Sequence, residues 1–296
     1  MKTPDDTRKE VESFWDHKPC DSDRSSERFG TRAYFMEIEK DRYKFQGHIL
    51  DLIDEIDWEG KKTLEIGTGV GTDARIIIGK GADYTGINID QGSVDLTRKA
   101  LDEFMLAGKV ERCDATAMKY DDESFDIVYS FGAMPCIPDL DKAMDEIYRV
   151  LKPGGLVMGL LYNRSSINYH VEIMFLRKLF RHLLVIPGVI PLLSLLGLPR
   201  DKLEGHLKLY RESRQMSDVE WLSRNTDGPE NPFICVQDAK EANRLFSRFE
   251  DISQRIYFFD YRHWGFLGHI LPGFLVRFLG KHWGWHRVVC ARKPAI

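Results

Sequence analysis

The chain has 296 residues, 43% of them hydrophobic, and 42 Lys and Arg against 46 Asp and Glu, for a formal net charge of −4. That apolar content fills one large α/β core or two small ones and excludes global disorder. The negative balance excludes a general attraction to nucleic acid, and five scattered cysteines without a C-x-x-C pair offer neither a zinc site nor a disulfide framework.

Residues 1–30 are polar, with an aromatic island at Phe14-Trp15 and a turn-like Lys18-Pro19-Cys20-Asp21-Ser22. Apolar positions from Phe35 to Ile56 recur at helical spacing and predict one long helix from about Arg32 to Ile56. Strands are expected near 62–66, 83–88, 109–113, 125–129 and 155–161, with helices near 72–79, 92–107, 139–150 and 166–184. Such alternation is the signature of a parallel sheet with right-handed crossovers. Residues 164–250 read as an insertion whose middle, Arg200 to Asn231, is polar and turn-rich. A helix over 238–249, a strand over 251–259 and a last strand over 286–291 complete the chain.

The connection from Tyr261 to Trp285 is long, and long connections in compact domains are commonly functional lids. From Tyr261 onward there are six Lys/Arg, four His, three Trp and no acid. A basic solvated helix is the favoured reading of that tail, ahead of peripheral contact with membrane headgroups. The longest apolar stretch, Leu183–Leu198, is too short to span a bilayer and carries Pro187 and Pro191, so no transmembrane segment is expected. The polar start, Met1–Glu10, is not signal-like. With the cysteine usage, it fits a reducing cytoplasm.

The densest information is Leu64-Glu-Ile-Gly-Thr-Gly-Val-Gly71. An apolar run ends in an acid, then Gly67, Gly69 and Gly71 allow a tight turn that brings backbone N–H groups close to a ligand. Asn88 follows the second strand, Cys113-Asp114-Ala115 the third, Phe125-Asp126-Ile127-Val128 forms the fourth, and Leu151-Lys152-Pro153-Gly154-Gly155 precedes the fifth. A dinucleotide loop would read G-x-G-x-x-G, but Thr72 stands where its third glycine belongs.

In that order and spacing the segments resemble the class I S-adenosylmethionine (SAM)-dependent methyltransferases, closely over residues 47–162. The resemblance implies a doubly wound, mostly parallel, seven-stranded Rossmann-like α/β sheet with an antiparallel last strand, SAM lying across the carboxyl ends of the first strands. Around it the chain divides into an N-terminal helical lid (1–46), a SAM-binding core (47–163), a helical insertion or substrate lid (164–250) and the last strands with their basic aromatic insertion (251–296). It further implies that Glu65 faces the amino-acid part of SAM, with Gly67, Thr68, Gly69 and Gly71 passing beneath it. Asn88 would read the ribose, where the family carries Asp or Glu. Ile89 would pack on adenine, Asp114 accept from its amino group, and Ala115 present a backbone N–H. Ser130, Phe131 and Gly132 would line the pocket near the sulfonium.

The acceptor side is less legible. The His-His segment of many relatives is here Gly132-Ala133-Met134-Pro135-Cys136-Ile137, so that base is missing. A good nucleophile such as an amine or thiol needs only alignment. Tyr162 and Asn163, ending the fifth strand, are the catalytic candidates. Arg32, Tyr34, Arg42, Tyr43, Tyr169 and Trp264 are candidates for holding substrate, with Trp15, His17 and Trp264 as covers for a sulfonium. The expected activity is methyl transfer from SAM to a small-molecule nucleophile, without a metal. Two alternatives remain: cyclisation or cleavage of SAM releasing methylthioadenosine, and a non-catalytic SAM-fold binding protein. Nothing in the sequence sets an oligomeric state.

Overall fold

A computed structural model describes residues 3–195, 200–212, 216–228, 230–261 and 270–295. Seven strands form one sheet in the order β3-β2-β1-β4-β5-β7-β6. They are β1 (Lys62–Ile66), β2 (Asp83–Asn88), β3 (Lys109–Arg112), β4 (Phe125–Ser130), β5 (Leu151–Tyr162), β6 (Glu250–Tyr257) and β7 (His286–Arg292). The first five pair in parallel, and β7 runs antiparallel between β5 and β6. The doubly wound sheet expected from the resemblance is therefore present, and β1 and β4 flank the point where strand order reverses.

Strand parity sorts the core into two layers. Leu64, Ile66, Val128, Val157 and Leu161 face α6 (Leu140–Val150) and α11 (Ala239–Leu245). The α6 contribution, Leu140, Ala143, Met144, Ile147 and Val150, is an i, i+3, i+4, i+7 stripe. Ile127, Tyr129, Met158 and Leu160 face the opposite layer, made by α3 (His48–Asp54), α4 (Thr72–Gly79) and α5 (Gln91–Phe104). Each fully buried Leu, Ile or Val contributes about 1.5–3 kcal/mol. Glu65 alternates with Leu64 and Ile66, so it enters this second layer and is buried there.

Several expectations shift. The helix foreseen over 32–56 is broken into α2 (Arg32–Phe45) and α3 around Gln46-Gly47. The polar N-terminus holds a helix, α1 (Pro4–His17), started by a Thr3/Asp6 capping box with Pro4 in its first turn. The turn-rich middle of the insertion is largely helical. After a π-helix (Asn168–Leu176) come α7 (Arg177–Leu184), α8 (Val189–Leu195), α9 (Arg200–Glu212) and α10 (Asp218–Arg224). The Lys152–Gly155 turn is a bulge inside β5, where Phe125 pairs with Leu151 but Ile127 with Leu156. The connection before β7 carries α12 (Gly273–Trp283).

α1 is seated across the sheet's carboxyl edge by three contacts. Asp16 accepts from the backbone N–H of Gln91 and Gly92 (3.1 and 2.8 Å), placing a carboxylate at the positive end of α5. Glu12 pairs with Arg112, and Arg8 with Asp114. A Cβ at Gly92 would lie 2.4 Å from the Asp16 carbonyl oxygen, so glycine is what lets the two helices approach.

Candidate active site

Two adjoining cavities open at the carboxyl ends of β1, β2, β4 and β5, beneath α1. The first, of about 530 Å³, is lined by Glu65, Gly67, Thr68, Gly69, Asn88, Ile89, Asp114, Ala115 and Phe131. With Gly132, which also lines it, these are ten of the twelve expected cofactor-side residues. Gly71 and Ser130 lie outside the lining. Gly71 (φ 75°) starts α4 against Thr97 of α5, and Ser130 Oγ donates to the Ile66 carbonyl, tying β4 to β1. Gly67 (φ 82°) also has a packing reason, since a Cβ there would lie 2.2 Å from that of Ala133.

At the floor, Tyr84 Oη donates to Glu65 Oε2 at 2.6 Å. Burial, reinforced by nearby Asp73, pushes the Glu65 carboxyl up to about 8. Asp73, in the first turn of α4, receives Arg42 (3.0 Å), Tyr43 (2.8 Å) and Tyr129 (2.9 Å). Arg42 also reaches Asp21 at 3.5 Å, so α2, α4, β4 and the loop after α1 meet on one carboxylate. Two polar atoms on this wall, Thr72 Oγ1 and Arg42 Nε, are buried without a hydrogen-bond partner. Orphans of that kind in a cavity wall suit a polar ligand.

At the end of β2 a directed chain of hydroxyls fixes Asn88. Thr97 Oγ1 donates to the Gly69 carbonyl (2.9 Å), Thr68 Oγ1 meets Thr97 Oγ1 (2.6 Å), and Asn88 Nδ2 donates to Thr68 Oγ1 (2.6 Å). With both threonine protons so committed, Thr68 accepts and the Asn88 amide is orientated, leaving its oxygen to accept from a ligand. Asp90, two residues on, caps α5 by accepting from Ser93 N at 2.7 Å, and burial raises its carboxyl. Asp114 takes the Thr116 N–H and hydroxyl at 2.8 Å each, besides Arg8. Burial pushes this carboxyl up, but the Thr116 donors and the Arg8 guanidinium outweigh it and hold the group below its ordinary value.

The second cavity, of about 280 Å³, shares Trp15, Cys20, Asp21, Arg24, Gln46, Tyr162, Asp227 and His286 with the first. Beyond these its walls include Asn168, Glu172, Arg177, Asn225, Phe258, Asp260 and Trp285. Polar and charged side chains dominate. Tyr162 Oη donates to Asp227 at 3.3 Å, and burial holds the phenol far above its ordinary range, so Tyr162 acts here as a donor. Cys136 is buried and its thiol is likewise raised by burial, which excludes a resting thiolate.

Sequence reasoning missed His286. It opens β7, lines both cavities, stacks with Tyr162 and lies edge-on to Phe131. Its Nδ1 is 3.1 Å from His48 Nε2 in α3. Burial, followed by nearby Arg42, depresses His48 to about 4, so it is neutral near pH 7. When His286 Nδ1–H donates to His48, His286 Nε2 carries the lone pair. No local motif flags two histidines 238 positions apart; the only signal was that β7 begins with His after an aromatic run.

Other candidates are placed elsewhere. Asn163, also ending β5, is buried and structural: it donates to the Gly284 carbonyl (2.9 Å) and accepts from Arg287 (2.7 Å). Arg32 lies over Phe104 and bonds the Glu103 carbonyl, and Tyr34 donates to the Ser22 carbonyl, both away from the cavities. Tyr169 packs against His170 and the core. Tyr43 touches the site only through Asp73, whereas Arg42 lines the first cavity. Trp15 lines both cavities, while His17 points its Nδ1 at the Ser13 carbonyl. Trp264 lies outside the described residues. Among the described residues, no cluster of three His, Cys, Asp or Glu has metal-ligating geometry.

Residues 64–159 match the methyltransferase domain family. A sterol 24-C-methyltransferase from Aspergillus fumigatus is 38% identical over 101 residues, covering 33% of this chain and 27% of that protein. A phthiotriol/phenolphthiotriol dimycocerosates methyltransferase from Mycobacterium tuberculosis is 36% identical over 104 residues, or 34% of this chain and 37% of that one. The match thus spans about a third of the length of such relatives. Over the whole fold, the structure of a geranyl diphosphate C-methyltransferase from Streptomyces coelicolor with S-adenosyl-L-homocysteine is similar (TM-score 0.55). It has 10% identity and covers 97% of this chain and 98% of that one.

Proposed function

We propose, from the premise that residues 64–159 form a class I SAM-dependent methyltransferase domain, that the whole chain transfers the methyl group of SAM to a small molecule with a polar nucleophilic centre. The observation that carries this is the junction of two cavities. One bears the motif residues of the cofactor half, and the other has charged walls and meets it at Tyr162 and His286.

The residues present fit SAM. Glu65 supplies a carboxylate for its ammonium group, Asn88 an amide oxygen for the ribose, and Asp114 an acceptor for the adenine amino group. Thr72 Oγ1 and Arg42 Nε offer unspent polar atoms beside the methionyl part. SAM supplies an electrophilic methyl on a positively charged sulfur. The protein's share is alignment and exclusion of water, to which α1 contributes as a cover. Tyr162, held by Asp227, orients the acceptor. In the tautomer whose Nδ1–H donates to His48, His286 Nε2 receives a proton where the acceptor has one to lose. Such a base would stand in for the missing His-His segment.

The sterol 24-C-methyltransferase and phthiotriol methyltransferase relatives suggest a carbon or hydroxyl acceptor on a hydrophobic molecule. The charged walls of the second cavity favour a polar acceptor group, whatever scaffold carries it. The test has two arms. S-adenosylhomocysteine at about 100 times its Kd should stabilise the protein by about 2.7 kcal/mol. Incubation with SAM alone should release no methylthioadenosine. Absence of stabilisation defeats the binding reading, and methylthioadenosine release without acceptor defeats methyl transfer.

A further inference from the structure

Exposed large apolar side chains are concentrated on two helical segments. Among the described residues, nine lie between Val171 and Leu195 and four between Ile270 and Trp283, against five on the rest of the chain. Phe175, Leu179 and Leu183 follow one another at four-residue spacing, and Phe274 and Phe278 stand one turn apart on α12. Patches of this kind mark an interaction site.

The charges beside them have one sign. No Asp or Glu occurs from Ile173 to Arg200, or from Tyr261 to the end of the chain. On α12 the exposed side chains of Arg277, Lys281 and His282 alternate with Phe274, Phe278 and Trp283. In a chain of net charge −4 this segregation complements an anionic surface. No single described helix is long and apolar enough to cross a membrane. The one pair that passes together, Asn168–Leu184 with Val189–Leu195, is bent by 109°. A bend that sharp suits helices lying on a bilayer rather than through it.

The first of these segments walls the second cavity through Glu172, Ile173 and Arg177, and the second segment lies between two further wall residues, Asp260 and Trp285. Asn168 exchanges hydrogen bonds with the Asp260 backbone (3.1 and 3.3 Å), joining the start of one segment to the loop before the other. Glu172 and Arg177 face inward to the cavity while Phe175 and Leu179 face outward.

We propose that these outward faces seat the protein on an anionic lipid surface, with apolar side chains entering the headgroup layer and Arg277 and Lys281 meeting phosphates. The test is sedimentation of the whole chain with vesicles of phosphatidylcholine, alone or with about 30% phosphatidylglycerol. The protein should pellet with the anionic vesicles and be released by roughly 0.5 M salt. The variants L179S/L183S, F274S/F278S and R277E/K281E should each lower the bound fraction about fivefold or more, while S-adenosylhomocysteine still raises Tm. Because R277E/K281E changes only exposed charges, it keeps the test decisive if a serine variant misfolds. Failure to pellet with either vesicle, equal pelleting with both, or variants that bind like the parent chain would overturn the proposal. So would light scattering that shows a dimer dispersed by the serine variants, since a second copy would then own this face.

Discussion

The two halves of the site are built in different ways. The cofactor half comes from one run of chain, in which residues 65–69, 88–89, 114–115 and 131 are the tips of adjacent strands. The other half is gathered from six places: α1 and its loop, the break between α2 and α3, the end of β5, the insertion, the loop after β6 and the start of β7. Strand tips are held by the sheet ladder, so their chemistry is tied to a local motif. The second half depends on long-range packing, and nothing local announces it.

The joint between the halves should be where damage is greatest. Asp73→Ala leaves Arg42 buried without its main partner and strips two tyrosine hydroxyls of their acceptor. We expect a loss of about 3–5 kcal/mol in urea unfolding; a loss under about 1 kcal/mol would show that the halves are not joined there.

Next in size is the proton at Glu65. Its value is raised to about 8, so the free protein holds the carboxyl protonated at pH 7, and a bound ammonium favours the ionised form. The sign follows: affinity for S-adenosylhomocysteine rises with pH and binding releases a proton below about pH 8. Calorimetry at pH 7 in two buffers of different ionisation enthalpy should count about one proton released; uptake, or none, contradicts this placement of the amino-acid end.

Gly92→Ala sharpens the contrast between α1 and the sheet. Alanine favours helix α5 by up to about 1 kcal/mol, yet its Cβ meets the Asp16 carbonyl oxygen at 2.4 Å. Core stability should hold while affinity for S-adenosylhomocysteine falls roughly tenfold, about 1.4 kcal/mol, because α1 no longer seats over Asp114. Unchanged affinity would mean that α1 is not part of the site.

The smallest effect is expected for Asn88→Asp. A carboxylate cannot donate to Thr68, so the chain through Thr97 to Gly69 must break at one link. That costs about 1 kcal/mol of stability, with ligand affinity within about threefold, since an acceptor still faces the ribose position. A larger fall in affinity would show that the amide N–H, not the oxygen, serves the ligand.

The same contrast explains what the sequence made legible. The strands through β5, the glycine turn and the residues at the tips could be read because period and motif are local. The Thr3-Pro4-Asp5-Asp6 start of α1 was equally local and was passed over because the segment is polar. His286 and Asp227 were beyond reach, as His286 meets Tyr162 only after β7 pairs with β5, and Asp227 only after the insertion folds back beyond α10. Asn163 misled for the same reason: the end of β5 looked like a substrate edge, and β7 buried it.

The most direct test is a crystal structure with S-adenosylhomocysteine. The account predicts adenine against Ile89 with its amino group at Asp114, ribose hydroxyls at Asn88, the ammonium at Glu65, and sulfur turned toward Tyr162 and His286. Ligand bound elsewhere, or with its sulfur turned away from the second cavity, would contradict it.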